Sequence, residues 1–126
     1  MTAAADAGTR AEQLAEAFLL RRGLRILARN YRVPGGEIDL VAEDDDTVTF
    51  VEVRLRANSR HGGALESIDR RKRRRLALAA RHWLARLPGA EPPCRFDAVL
   101  VLPVEHNGRR TYAIEWLRDA FGADDC

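Results

Sequence analysis

The chain has 126 residues, of which 46% are hydrophobic and 32% are charged, and its formal net charge is +2. This length suits one domain with its own core, and the composition is that of an ordinary globular protein. No apolar run is long enough to span a bilayer, and Glu12 and Glu16 interrupt the apolar stretch nearest to the N-terminus, unlike a signal peptide. We therefore expect a cytoplasmic location and no membrane partner.

The cysteines and histidines argue against a structural zinc site. Cys94 and Cys126 are too few and too far apart in sequence for a disulfide framework or a zinc cluster. The histidines His61, His82 and His106 show no ligand spacing. We expect no structural metal on these side chains.

The N-terminal part of the chain predicts a helix followed by a strand. Residues 1–9 are an Ala-rich segment that we expect to be a loose, flexible leader. The segment 10–22 carries an apolar stripe of helical spacing and ends at Gly23. The segment 24–32 has the pattern of a first strand and leads into the turn signal at 33–36.

Two segments that alternate apolar and charged residues predict a β-hairpin. They cover 37–42 and 47–56, and the acidic stretch 44–46 between them is typical of a turn. The alternation predicts that charged and apolar residues of the first strand lie on opposite faces. The charged pair is Glu37 and Asp39, and the apolar pair is Ile38 and Leu40.

The length of the hairpin loop decides which residues face each other. A loop of two or four residues places Asp39 opposite Glu52 and Glu37 opposite Arg54, whereas a loop of three breaks this register. Opposed like charges destabilise a sheet. A divalent cation between Asp39 and Glu52 would turn that cost into a binding site.

The second half of the chain predicts a long helix and two further strands. The helix covers 65–87, and Lys72, the only lysine, falls on its inward stripe. An apolar run predicts a buried strand at 95–102. The segment 111–116 predicts a short final strand, and 117–121 a terminal helical turn.

These elements predict a single α/β domain at 10–121 with the order α-β-β-β-α-β-β, followed by a C-terminal tail at 122–126. A strand, a helix and a strand in succession form a right-handed crossover between parallel strands. We therefore predict a mixed β-sheet of about five strands flanked by helices.

The hairpin carries the groups that phosphodiester hydrolysis needs. Mg²⁺ or Mn²⁺ prefers oxygen ligands, and Asp39, Glu52 and the backbone carbonyl of Val53 would supply a partial ligand shell. Arg54 projects on the same face as Glu52 and would contact the scissile phosphate. Glu12 would reach the site from the first helix, directly or through water.

A purely structural arrangement of the same hairpin residues stays open. Glu37 would then pair with Arg54, Asp39 would cap or pair with a nearby arginine, and Glu52 would lie on a solvated face of the sheet. A further carboxylate, that of Asp97, would either join the site or anchor Arg95, and we favour the structural pair. Trp83 and Trp116 are expected in the core.

Six consecutive cations, from Arg70 to Arg75, form either a solvated helix face or a surface that attracts phosphate backbones. Since they span nearly two helical turns, they cannot all face one ligand. Those on the inward side are the predicted nucleic-acid contacts: Arg71, Lys72 and Arg75.

These residues resemble a known nuclease motif. The segments 36–40 and 50–54 look like the D-x(n)-(D/E)-x-K motif of the PD-(D/E)xK nuclease superfamily. More narrowly, 8–121 resembles the YraN-like family, an uncharacterised bacterial group related to Holliday junction resolvases. The residues that carry this resemblance are Glu12, Asn30, 35–40, Gly62, Gly63, Lys72, 95–97 and 119–121.

The resemblance implies a restriction endonuclease-like fold, with Asp39 and Glu52 as metal-binding carboxylates and Glu12 as the helical acid of resolvase-like members. Arg54 stands where the superfamily usually has lysine. Because arginine keeps its proton, Arg54 would act only electrostatically while a metal-activated water attacks. Lys72 would supply the missing ammonium group from the helix.

We therefore expect a Mg²⁺- or Mn²⁺-dependent endonuclease that hydrolyses phosphodiester bonds in DNA, including branched, Holliday junction-like DNA. Two alternatives stay open: a non-catalytic nucleic-acid-binding module on a nuclease fold, and a partner-binding scaffold with a degenerate site. Resolvase-like enzymes usually act as dimers, so the resemblance also points to a homodimer.

Overall fold

A computed structural model describes the backbone of residues 3–56 and 68–122. It contains two helices and five strands in the predicted order. The elements are α1 (Ala3–Arg21), β1 (Arg25–Val33), β2 (Gly36–Asp44), β3 (Thr47–Leu55), α2 (Arg70–Ala85), β4 (Cys94–His106) and β5 (Arg109–Phe121).

The five strands form one mixed sheet in the order β1-β2-β3-β4-β5. Neighbouring strands are antiparallel except β3 and β4, which are parallel because α2 connects them as a crossover. The predicted α/β class, element order and parallel pair are therefore confirmed.

Two apolar clusters hold the sheet between the helices. On the α1 side, Leu19 of the helix packs with Leu40 and Val99 of the sheet. On the α2 side, Trp83 packs against Phe50, with ring centroids 6.0 Å apart in an edge-to-face arrangement. The apolar run of β4 follows from burial on both faces.

The hairpin of β2 and β3 has the predicted register. Leu40 lies opposite Val51, and the loop consists of two residues, Asp45 and Asp46. Asp45 adopts a φ of 55°, in the left-handed region that aspartate tolerates better than most residues. The short acidic loop therefore sets the register of the paired residues, which run from Asp44 opposite Thr47 to Leu40 opposite Val51. The predicted pairs Asp39–Glu52 and Glu37–Arg54 lie beyond these and stay predictions.

The alternation of faces breaks in the middle of β2, contrary to the prediction. Ile38 belongs to the α2-side cluster and Leu40 to the α1-side cluster, although we expected them to share a face. On β1, Asn30 has a φ of 48° and lies between the partners of these two residues. A left-handed residue disturbs the regular pleat. Asp39 therefore lies at a break in the strand rather than on a regular face.

The first helix is longer than predicted. It begins at Ala3 instead of the predicted Arg10, so the backbone of 3–9 belongs to the helix. The Ala-rich composition of this segment favours helix. After the helix, Gly23 adopts a φ of 90°, which suits a glycine terminator. Among the described residues, no helix combines the length and apolar character that a membrane span requires.

The second helix begins at Arg70, later than the predicted start. Asp69 is its N-cap, and its carboxylate accepts a hydrogen bond from the Lys72 backbone N–H at 2.9 Å. The predicted helical residues 65–67 lie outside the described residues. Gly36 lets β2 approach this helix, because a Cβ there would lie 2.5 Å from the Arg75 carbonyl oxygen.

The predicted helical turn at 117–121 is wrong, because β5 continues to Phe121. Phe121 pairs with Phe96 of β4, and their rings stack with centroids 5.3 Å apart. The carboxylate of Asp97 also holds this segment, accepting a hydrogen bond from the Asp119 backbone N–H at 2.9 Å. These contacts with β4 keep residues 117–121 in the strand.

Candidate metal and phosphate site

Asp39 is held at the break in β2 by the neighbouring strand. Its Oδ2 accepts a hydrogen bond from the Val53 backbone N–H at 2.8 Å. Burial raises the pKa of Asp39 to about 6, and the charges of Glu12 and Glu37 add to the rise, whereas the Val53 hydrogen bond and Arg54 oppose it. A positive charge beside Asp39 would therefore be stabilising.

Glu52 lies close enough to Asp39 for the two charges to repel each other. Burial raises the pKa of Glu52 to about 8, and the charge of Asp39 adds to the rise. Arg54 and Lys72 oppose it without cancelling it. At neutral pH the pair thus retains a proton that a divalent cation would displace.

Arg54 brings an unsatisfied donor to the same place. Its Nε is buried and has no hydrogen-bond partner within the described residues. A buried donor without an acceptor costs about 1–3 kcal/mol. A phosphate oxygen would satisfy this donor, because the planar guanidinium group matches phosphate geometry.

A pocket of about 360 Å³ connects this part of β3 with the first turns of α2. We call it the site pocket. The sheet contributes both acidic and basic side chains to its lining, and α2 with its N-cap contributes three cations and one carboxylate, so groups of both signs face the pocket. Asp39 is not among the lining residues. The lining residues are Glu37, Glu52, Arg54, Asp69, Arg71, Lys72 and Arg75.

The run of cations on α2 is divided between different surroundings. All three predicted nucleic-acid contacts, Arg71, Lys72 and Arg75, line the site pocket. Arg73 instead donates a hydrogen bond to the Ile68 carbonyl at 2.8 Å, and its guanidinium lies over the Phe121 ring. The helical spacing thus separates the cations that face the pocket from one that stabilises the fold.

Glu12 lies near Asp39 but does not line the site pocket. Its charge raises the pKa of Asp39. It lines a separate groove between α1 and β1 with Glu16 and Arg29, whose side chains form an ion pair with a contact of 2.8 Å. Glu12 therefore acts on the site electrostatically, from the α1 side.

Two residues of the site pocket, Glu37 and Asp69, were not predicted as site residues. Glu37 forms its ion pair with Arg32 of β1 at 3.4 Å, so the alternative in which it pairs with Arg54 is wrong. The signal for Asp69 was present, because an aspartate directly before a helical pattern is typical of an N-cap.

Asp97 is structural, as predicted. Its side chain is fully buried and accepts hydrogen bonds from Arg95 Nε at 3.0 Å, Trp116 Nε1 at 3.0 Å and the Asp119 N–H at 2.9 Å. Arg95 also donates to Asp44 at 2.9 Å. Trp116 is therefore a donor in this network, and Trp83, 6% exposed, lies in the core as expected.

The donor set fits a hard divalent cation that keeps water ligands. Asp39 and Glu52 offer two carboxylates, and the Val53 carbonyl is the predicted third oxygen. In the described parts of the chain, no three His, Cys, Asp or Glu side chains are grouped to hold a metal. Mg²⁺ suits such a sparse set, since it is commonly bound through one or two carboxylates and retains water.

Comparison with known proteins yields a family without a named activity. Residues 11–101 match the Uncharacterised protein family UPF0102. A UPF0102 protein of Nitrosomonas europaea is 50% identical over 96% of this chain and 98% of its own length. A UPF0102 protein of Paracidovorax citrulli is 54% identical over 93% of this chain and 83% of its own. One from Methylobacillus flagellatus is 48% identical over 92% of this chain and 96% of its own.

Proposed function

The chain belongs to the uncharacterised protein family UPF0102, and we propose that it is a Mg²⁺- or Mn²⁺-dependent endonuclease that hydrolyses phosphodiester bonds in DNA. One observation carries the proposal: Asp39 and Glu52 are mostly buried on neighbouring strands, beside a guanidinium whose buried Nε has no partner in the described residues. Neither carboxylate forms an ion pair within that part of the chain. Buried charges that the protein leaves incompletely neutralised are common at sites where a ligand neutralises them.

The carboxylates and the arginine have separate tasks. Asp39 and Glu52 hold the metal, with the Val53 carbonyl as a further ligand. When bound, the metal polarises the phosphate and activates water. Arg54 binds a phosphate oxygen through its Nε and stabilises the negative charge that develops on the phosphate. Because arginine does not lose its proton, Arg54 takes no proton from water.

The helix supplies the remaining positive charge. Lys72 is half-buried, and its charge lowers the pKa of Glu52, so it already interacts with the site. We assign it the electrostatic role of the superfamily lysine. Arg71 and Arg75 are exposed on the pocket rim, where they bind the flanking phosphates. A homodimer and a cytoplasmic location stay predictions.

The second candidate is a nucleic-acid-binding module that does not cut. It is favoured by the absence of a group of three metal-ligating side chains in the described residues. Such a module would bind DNA through Arg71, Lys72 and Arg75, with equal affinity in the presence of magnesium or a chelator.

A cleavage assay separates the two candidates. Supercoiled, single-stranded and four-way-junction DNA are incubated with Mg²⁺, Mn²⁺ or a chelator. We expect metal-dependent cutting that Asp39→Asn abolishes, because the substitution removes a ligand charge while preserving size. Asp45→Asn in the exposed hairpin loop is the matched control and should cut like the wild type. Metal-independent gel shifts without cutting would support the module, and cutting that persists in Asp39→Asn would remove Asp39 from the site.

The roles of the two cations are separated by single substitutions. Arg54→Met should lower kcat by roughly 10²–10³, as the loss of a transition-state donor does, and Arg54→Lys should restore part of it. Lys72→Met should lower kcat by a similar factor. If Lys72→Met is fully active and Arg54→Met is inactive, Lys72 does not replace the superfamily lysine.

A further inference from the structure

A second and larger depression adjoins the site pocket. It has a volume of about 750 Å³ and extends along α2 to the start of β4. Arg71 and Arg75 line both depressions, so the two are contiguous. We call the larger one the arginine groove; its lining includes Arg71, Arg74, Arg75, Arg81, Leu78 and Leu84.

The charge of this groove suits a polyanion. Its four arginines are exposed, and Glu91 is the one acidic residue of the lining. Within the described residues, none of the four arginines takes part in an ion pair. Their charge is therefore available to phosphates.

The apolar part of the groove distinguishes an unpaired strand from a duplex. Leu78 and Leu84 are half-buried, and Phe96 lines the groove at 8% exposure. A duplex keeps its bases stacked inside and presents phosphates, which would leave this apolar surface uncovered. An unpaired strand offers both phosphates and the faces of its bases. The volume is within the range of about 300–1,000 Å³ that holds small organic ligands, so a nucleobase has room.

We propose that the arginine groove binds an unpaired DNA strand that leads into the site pocket, so that the substrate carries a single-stranded segment beside the scissile phosphate. This inference rests on the proposed nuclease function. Arg71 and Arg75 hold the backbone where the two depressions meet. Arg74 and Arg81 hold it further along α2, where the bases contact Leu78 and Leu84.

Cys94 serves as a chemical reporter inside the groove. It lines the groove and is an exposed, free thiol. In a Cys126→Ser variant, Cys94 is alkylated with a maleimide in the presence of three DNAs of equal length: a single strand, a duplex with an unpaired arm, and a blunt duplex. Burial raises the pKa of the Cys94 thiol, so the reaction is run at mildly alkaline pH.

We expect the single strand and the armed duplex to protect Cys94. At a DNA concentration ten times its Kd, alkylation should slow by about tenfold, whereas the blunt duplex should give little protection. The matched control carries Cys94→Ser, Cys126→Ser and Thr111→Cys, which moves the only thiol to an exposed position on β5 outside the groove. Its alkylation should not change with any DNA.

Two variants test the arginines that line the groove but not the site pocket. Arg74→Ala and Arg81→Ala should each weaken binding of the duplex with an unpaired arm by roughly 3–10-fold. Each should also reduce by about one the slope of the logarithm of the binding constant against the logarithm of salt concentration. Arg110→Ala, on the exposed end of β5, is the matched control and should bind like the wild type.

The outcomes separate this inference from the nuclease proposal. Metal-dependent cutting of armed and blunt duplex at equal rates, with Cys94 unprotected, overturns the groove and leaves the nuclease. Protection of Cys94 without cutting of any DNA overturns the nuclease and supports strand binding by the groove. Equal protection by poly-glutamate of matched length would show that the arginines recognise charge alone, which also overturns the inference.

Discussion

The sheet contains two groups of buried carboxylates, and they differ in how the protein neutralises them. Asp97 is surrounded by donors: Arg95, the Trp116 indole and the Asp119 N–H all bond to it. Asp39 accepts one hydrogen bond among the described residues, from the Val53 N–H, and Glu52 beside it adds repulsion. A complete network of this kind stabilises a fold, whereas an incompletely neutralised pair costs stability and gains from a ligand.

This difference distinguishes a structural carboxylate from a candidate ligand-binding pair. The ordinary pKa values are 3.8 for Asp39 and 4.5 for Glu52, and the folded protein raises them to about 6 and about 8. Such displacement is common at sites that bind or react, although structural networks also produce it. Removing the charge of Asp97 should therefore destabilise the fold, whereas removing a charge of the Asp39–Glu52 pair should not.

The largest expected loss of stability is at Asp97, the carboxylate that is neutralised by its neighbours. Asp97→Asn should lower the free energy of unfolding by about 3–5 kcal/mol, because the Asn Nδ2 cannot accept a hydrogen bond and the half-buried Arg95 loses a charged partner. Asp39→Asn is the matched control and should cause no loss of stability, since Asn Oδ1 can still accept from the Val53 N–H and the repulsion with Glu52 is removed. Urea denaturation measures both. Similar losses at the two positions would remove the distinction.

Next in size is a gain of stability when the repulsion between Asp39 and Glu52 is removed. Because the folded pKa of Glu52 is raised, the folded state is favoured at acid pH, and this contribution is lost as pH rises from about 4.5 through about 8. Glu52→Gln should therefore stabilise the metal-free protein at pH 8, by on the order of 1–3 kcal/mol. Thermal unfolding at pH 5 and pH 8 measures this. An equal effect at both pH values would contradict the charge argument.

The smallest expected effect is the number of protons that the protein releases when the metal binds. Since Asp39 and Glu52 retain protons up to about pH 6 and about pH 8, Mg²⁺ or Mn²⁺ should release about one proton near pH 7 and bind more tightly as pH rises. Calorimetry in buffers of different ionisation enthalpy measures this release. Glu52→Gln should abolish it, and a pH-independent affinity would show that the pair is not the metal site.

Much of the fold was predictable because short-range patterns specify it. Alternation identified the hairpin, and the acidic loop fixed a register in which Leu40 faces Val51. The predictions failed where distant contacts override local preference. The segment 117–121 is extended because β4 pairs with it and Asp97 bonds to it.

The residues proposed for the candidate site came from the sequence, whereas their geometry came only from the structure, and their roles stay predictions. Asp39, Glu52, Arg54 and Lys72 were identified from alternation, spacing and resemblance. Their electrostatics were not, because the break in β2 accompanies a left-handed Asn30 on another strand. Glu12 matched the family pattern, yet it lines a groove on the α1 side.

Residue order thus specified the hairpin register, the crossover and the family, because these depend on neighbouring residues and on patterns along the chain. Three-dimensional packing specified which carboxylates are neutralised, which buried donors of the described residues have no hydrogen-bond partner and which arginines join two depressions. These properties depend on groups far apart in sequence that meet in a low-dielectric interior, where burial determines the cost of a charge.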